Sequence, residues 1–236
     1  MKIRYKRSVL GIAWSLINPL LQLVVFIFLF RKVVQINIPN YPLFVFTGVL
    51  TWGWFSSSLT QATGTITDNR ELIRRPGFPA AILPAVTVTT QLIHFLLVLP
   101  ILFCFVIFGG GHLTAAILVL PFIILIQFLL TTSLAYLLAA VHVTFRDTRH
   151  IVGFLLLLLF YLTPVFYDAK AVPARYWPLY RLNPMLHLID AYRAILIWGE
   201  GPDGLLLVGM GVFAAGLLWL GYSLFTRVSY RFIEEL

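Results

Sequence analysis

Charged residues vanish from long parts of this chain. No Asp, Glu, Lys or Arg occurs in 8–30, 33–67, 76–145 or 204–226, nor in the shorter run 151–167. Apolar residues in these runs are continuous rather than alternating, which argues for helices over half-buried strands. About 20 apolar residues cross a bilayer as a helix, and in lipid only helices and closed barrels keep every backbone group paired. The run 76–145 is long enough for two helices, with Gly109-Gly110-Gly111-His112 as the turn between them. The pattern predicts an all-α integral membrane protein. One domain, 1–236, would hold six transmembrane helices at roughly 19–36, 44–67, 82–108, 114–143, 150–167 and 204–225.

Four segments are expected to be more than spans. In 1–18, Tyr5, Val9, Ile12, Ala13 and Leu16 fall on one helical face, and Lys2, Arg4, Lys6 and Arg7 cluster at the start. That is the pattern of an amphipathic helix lying in the membrane interface. Asn18-Pro19 is expected to break this helix and open the first span. A plain positive-inside anchor accounts for the same charges. The apolar run that follows is too long for a cleavable signal peptide, and no small-residue cleavage site stands out. In 68–79, Asp68 and Glu71 have the spacing of a capping box, and Pro76-Gly77 would end a short charged helix. Such a helix suits a cytoplasmic partner, and an ordinary solvated loop fits the same residues. Phe145-Arg146-Asp147-Thr148-Arg149-His150 reads as a compact charged loop, for internal pairing or for docking. Segment 168–203 is rich in Pro and aromatic residues. Its helical stretch Met185–Trp198 is too short to span and holds Asp190 and Arg193. A re-entrant helical hairpin between spans five and six fits best. Its rings suit an interfacial aromatic belt or the wall of a sugar path.

Composition narrows the function. Hydrophobic residues make up 60% of the 236 and charged residues 11%, against about 25% charged in soluble domains. A soluble monomer and a disordered chain are both excluded. The net charge of +8 is not a nucleic-acid signature, because no basic domain exists to hold a groove. With the N-terminus inside, the inner segments carry 11 basic and 5 acidic residues and the outer segments 6 and 4. Both termini are therefore expected in the cytoplasm. No phosphate-binding G-x-x-x-x-G-K-[ST] loop occurs, so ATP is not expected to be hydrolysed by this chain. The single Cys104 excludes a disulfide framework and a Cys-rich zinc site, and no metal site is expected. Apart from Arg31 and Lys32 near a span end, the spans lack the charged relays of an ion-coupled carrier. His94 and His142 lie within spans, where a packed neutral imidazole is the simpler reading. No pair of loop carboxylates stands out for a membrane-embedded glycan enzyme, although Asp168 and Asp190 could meet.

Several of these residues form longer motifs. Arg4-Tyr5-Lys6-Arg7-Ser8-Val9-Leu10-Gly11-Ile12-Ala13-Trp14-Ser15-Leu16-Ile17-Asn18-Pro19 resembles the opening motif of the ABC-2 type permeases that export polysaccharides and polyol phosphates. Ile38-Pro39-Asn40-Tyr41-Pro42-Leu43-Phe44, followed by Gly48 and by Trp52 to Ser58, resembles that family's second span. Leu72-Ile73-Arg74-Arg75 with Phe78-Pro79 resembles its coupling helix. Val143-Thr144-Phe145-Arg146-Asp147 and His150 resemble its loop before span five. Thr163-Pro164-Val165, Leu182-Asn183-Pro184 and Asp190-Ala191-Tyr192-Arg193 resemble its outer hairpin. The resemblance runs along nearly the whole chain in the right order. It departs at the start, where the family commonly has further residues before the Arg-Tyr motif.

The resemblance implies a homodimeric permease in the bacterial inner membrane. It would work with two copies of a separate ABC ATPase subunit, which would hold the ATP and Mg, with no cofactor on this chain. The cargo would be a polyprenyl-pyrophosphate-linked glycan of the lipopolysaccharide O-antigen or capsular type. Arg4, Lys6, Arg7 and Trp14 would lie where the lipid-linked substrate enters, the cations meeting its pyrophosphate. Arg70, Glu71, Arg74, Arg75, Arg146 and Asp147 would couple to the ATPase. Trp52, Phe55, Tyr161, Phe166 and Tyr167 would line the glycan channel. Teichoic-acid or drug export by a related ABC-2 permease is the alternative.

Overall fold

A computed structural model describes residues 14–29, 38–109, 114–230 and 232–235. Among them every regular element is helical. The main helices are α1 (Trp14–Ile27), α2 (Tyr41–Thr63), α3 (Arg70–Ile73), α4 (Ile82–Phe108), α5 (Leu120–Thr144), α6 (Thr148–Leu162), α7 (Trp177–Arg181), α8 (Pro184–Arg193), α9 (Gly204–Ser229) and α10 (Phe232–Glu235). A 3-10 turn, Ala115–Val119, leads into α5, and a π-type turn, Ala194–Trp198, continues α8. By length and composition, three helices among the described residues can cross a membrane: Ile82–Phe108, Ala115–Thr144 and Gly204–Ser229. Helix α6 is apolar but shorter. The chain is thus a helical protein of membrane type.

Helix α2 is the hub, packed against α1, α4, α5, α6 and α8. Its polar side chains do not disturb this burial. Thr47, Ser58 and Thr63 each donate a hydroxyl to the carbonyl four residues earlier, at 2.7–2.9 Å. Bonded in this way, they need no other partner in an apolar setting. Buried Gln127 of α5 donates its amide to the Thr51 carbonyl at 3.0 Å. Helices α5 and α9 meet most closely at Gly221, where an added Cβ would lie 2.7 Å from the Ser133 carbonyl oxygen. Small residues permit such backbone contact.

Two ends of the bundle are distinct. The charged end gathers the last turns of α2, α5 and α9, the short α3 and the start of α6. The opposite end is organised by Arg193, the last residue of α8. Its side chain is 3% exposed. Nη1 donates to the Pro164 carbonyl at 2.7 Å, and Nη2 donates to Val165 at 2.7 Å and to Phe44 at 3.3 Å. The guanidinium also lies over the Phe44 ring, 3.4 Å from its centroid. Asp190, half exposed, is 3.8 Å from Nη1. Burial pulls the guanidinium down to about 9, opposed by Asp190, so it stays a cation at neutral pH. A fork of fixed donors suits three converging carbonyls as an ammonium could not.

Several expected boundaries shift. Helix α1 runs unbroken through Asn18 and Pro19, so the break foreseen there does not form. Proline removes one helical hydrogen bond, which membrane helices tolerate. The remainder of 1–18, and the end of the first span with Arg31 and Lys32, lie outside the described residues. Of the foreseen turn at 109–112, Gly109 alone is described, closing α4. Helix α2 spans Tyr41–Thr63 rather than 44–67, and α9 continues past Arg227 to Ser229. Helix α6 stops at Leu162, not at 167, because Pro164 drives Thr163 into an extended conformation. In 68–79 only the 3-10 turn Thr67–Asn69 and α3 are helical. The capping box is absent, since no side chain caps α3. The Asp68 carboxylate turns instead toward Arg149, 3.7 Å away. Segment 168–203 folds as short helical turns, then α7 and α8, with α8 packed on α2 and α5.

Gly48 makes the Arg193 junction possible. A Cβ there would sit 2.5 Å from the Val165 carbonyl oxygen and 2.9 Å from Nη2 of Arg193. Gly48→Ala is expected to cost roughly 1–3 kcal/mol through overpacking. Gly53→Ala, where nothing lies within 4 Å, serves as the control. Thermal melting of the detergent-purified variants checks this, with a lowered midpoint for the first and none for the second.

Candidate functional site

Seven aromatic rings form one continuous run beside the Arg193 junction. Phe55 meets Trp52 at 5.5 Å between ring centroids, and Trp52 meets Phe160 at 6.0 Å. Phe160 contacts Phe26 at 6.0 Å, Tyr161 at 5.5 Å and Phe166 at 5.7 Å. Phe26 stacks on Phe166 at 5.5 Å, and Phe166 meets Tyr161 and Tyr167 at 6.1 and 5.2 Å. The rings come from α1, α2, α6 and the turn after α6. All five aromatic residues singled out from sequence therefore fall in one cluster. Phe26 and Phe160 are the members missed. Phe160 sits beside Tyr161 in the apolar run 151–167, whereas nothing local marks Phe26.

The cluster has a closed side and an open one. Trp52 and Phe55 are buried, Phe26, Phe160, Phe166 and Tyr167 are partly buried, and Tyr161 is 58% exposed. Trp52 and Phe55 thus back the run, and Tyr161 presents its ring. The turn that carries Phe166 and Tyr167 is tied on several sides. Tyr41 donates its hydroxyl to the Phe166 carbonyl at 3.0 Å. The Tyr167 hydroxyl lies 3.1 Å from the Tyr161 and Leu162 carbonyls and 3.2 Å from the Tyr180 hydroxyl. The Asn183 amide donates to Thr163 at 2.7 Å, and Asn183 also caps α8 through Met185 N–H. Flat apolar faces with hydroxyl edges, held in place, suit stacking against sugar rings.

At the charged end, Arg70, Glu71, Arg74 and Arg75 are exposed, and Arg146 and Asp147 are exposed beside them. The Asp68–Arg149 contact at 3.7 Å joins the two loops. Both side chains are about half exposed, so the pair contributes about 0–1 kcal/mol. Ile73 is the buried foot of α3. Arg149 was not singled out from sequence as a partner of Asp68. Asp168 and Asp190 do not form a bonded carboxylate pair: Asp168 accepts from Lys170 N–H at 2.9 Å, and Asp190 faces Arg193. Trp14 opens α1. Arg4, Lys6 and Arg7 lie outside the described residues.

Known proteins with similar sequences span the whole chain. The O-antigen export system permease protein RfbA of Myxococcus xanthus is 39% identical over 239 aligned residues, covering 100% of this chain and 92% of that protein. A protein of the same name from Klebsiella pneumoniae is 30% identical, again over 100% of this chain and 91% of that protein. The polysialic acid transport protein KpsM of Escherichia coli is 24% identical over 100% of this chain and 90% of that protein. The profile of the ABC-2 type transporter family matches residues 1–197, and the chain belongs to that family.

Proposed function

We propose that this chain is the permease of an ATP-driven exporter that moves lipid-linked polysaccharide, of O-antigen or capsular type, across the bacterial inner membrane. The full-length similarity to O-antigen export permeases carries the reading. Six segments cross the membrane: α1 with the residues that follow it, α2, α4, α5 with its leading turn, α6 with the turn after it, and α9. Segment 168–203 forms a re-entrant hairpin on the outer side. The charged end and both termini face the cytoplasm, in keeping with the excess of basic residues there. Two copies of the chain assemble with two copies of a separate ABC ATPase, which holds ATP and Mg.

The geometry suggests how the stroke travels. Segments 68–79 and 145–149 dock on the ATPase through Arg70, Glu71, Arg74, Arg75, Arg146 and Asp147. Helix α2 starts at the Arg193 junction, carries Trp52 and Phe55, and ends beside Asp68. A displacement at the docking loops is thus delivered to the aromatic run by one helix. The rings contact the glycan by stacking, and Tyr161 is the one most open to it. Arg4, Lys6 and Arg7, with Trp14 close by, meet the pyrophosphate as the substrate enters from the inner leaflet. Membrane lipids surround the outward apolar faces of α6 and α9.

Deleting the gene in a strain without a second such permease is expected to abolish long-chain surface polysaccharide, read on a gel of cell-surface glycans. An unchanged glycan profile overturns the function. Reversing charge at Arg74 and Arg75 together is expected to weaken ATPase co-purification by about tenfold, as loss of an interface anchor does. Retention of both co-purification and glycan-stimulated hydrolysis at wild-type levels removes the docking role. Tyr161→Ala is expected to raise the glycan concentration for half-maximal ATPase stimulation roughly threefold to tenfold, the worth of one ring contact. Co-purification should stay unchanged, because the ring is exposed.

A further inference from the structure

The two loops assigned to ATPase contact share a third neighbour, α10. Phe232 at its start is 1% exposed. Its ring lies 5.3 Å from Phe225, which is itself 5.3 Å from Tyr136. With Ile66, Ile73, Ala139 and Val143 these rings make a compact apolar cluster, separate from the main core. Ile66 comes just before the 3-10 turn, and Ile73 is the buried residue of α3. One side of α10 thus closes the apolar floor on which the first docking loop stands. The other side reaches the last residue of α5, where the second loop begins. Glu235 accepts a hydrogen bond from the Thr144 hydroxyl at 2.9 Å, and Thr144 directly precedes Phe145 and Arg146. The Asp68–Arg149 contact closes the triangle between the two loops.

A four-residue helix has no stability of its own, since helix nucleation is costly. The position of α10 therefore depends on these contacts, which adjoin both docking loops. Neither Phe232 nor Glu235 is among the residues placed at the ATPase surface.

We propose that α10 is a strap that holds the two docking loops in fixed relation, with Phe232 as its positioning residue, so that ATPase movement passes to α2 rather than being absorbed by the loops. The proposal rests on the reading of the chain as the permease of an ATP-driven exporter. A residue that merely fills space would affect stability alone. A strap would also set how much transport accompanies each hydrolysis.

The test uses the full permease with its ATPase subunit, reconstituted in lipid vesicles. Glycan translocated per ATP hydrolysed is measured on equal amounts of assembled complex, alongside the thermal midpoint. Phe232→Ala is expected to lower that ratio about threefold or more while hydrolysis continues, within the range of coupling changes seen for residues remote from ligands. Phe232→Leu, which keeps an apolar body in the cluster, should restore the wild-type ratio. Glu235→Ala, at an exposed position, should lower the ratio to about half by freeing the second loop. A wild-type ratio for Phe232→Ala, even with a lowered midpoint, overturns the strap. Where Phe232→Ala does not accumulate, a wild-type ratio for Glu235→Ala overturns it in the same way. A wild-type chain that binds no ATPase and moves no glycan overturns the proposed function, and the strap with it.

Discussion

The Arg193 guanidinium, buried and bonded to three carbonyls, joins three parts of the chain far apart in sequence. It ties α8 to the first turn of α2 through Phe44 and to the turn after α6 through Pro164 and Val165. The Pro164 and Val165 carbonyls need an outside donor. Pro164 breaks the α6 ladder, and the turn that follows has no helical partner of its own. An unpaired buried carbonyl costs about 1–3 kcal/mol, so Arg193 secures the start of the turn that carries Phe166 and Tyr167, at Pro164 and Val165. Gly48 leaves the room for it.

Helix α2 converts that local junction into long-range order. It touches five other helices, yet a run of Thr and Ser residues gives it a mixed character in sequence. The hydroxyls bond back onto their own helix, which lets a polar-looking segment occupy the centre of an apolar bundle. The same helix backs the aromatic run in its middle and meets the charged loops at its end. Rigidity along α2 is thus shared by the Arg193 junction, the ring cluster and the loop end.

Much of this was legible beforehand. Charge-free runs marked Ile82–Phe108, Ala115–Thr144 and Gly204–Ser229, the described helices long and apolar enough to cross a membrane, because the cost of a charge in lipid applies to every residue of a span. The aromatic candidates Trp52, Phe55, Tyr161, Phe166 and Tyr167 fall in one cluster, since each stands on a segment that ends or passes near the same turn. Helix ends were less legible. The stop at Leu162 depends on Pro164, which a hydropathy pattern does not weigh, and the uninterrupted passage of α1 through Pro19 shows the opposite outcome for the same residue type. Asp68 had the spacing of a cap, but the nearby Arg149, brought in by the return of α5 and α6, offers its carboxylate a cation instead. Long-range partners of this kind leave no local trace. Neither did the role of Arg193, nor that of Phe26, whose neighbours lie more than 130 residues away in sequence.

The shortness of α6 has a consequence for the membrane around it. Its 15 residues rise about 22 Å, against a hydrocarbon layer of about 30 Å. On the proposed six-crossing arrangement the irregular turn at 163–167 lies below the outer headgroups, at a depth where exposed carbonyls are not tolerated in contact with lipid. The protein provides the missing donors there, from Arg193 and Tyr41. On that arrangement α6 itself covers only about three-quarters of the hydrocarbon thickness. Over the remaining quarter the protein replaces lipid with hydrogen-bonding groups, and the apolar layer beside α6 is thinner than the membrane itself.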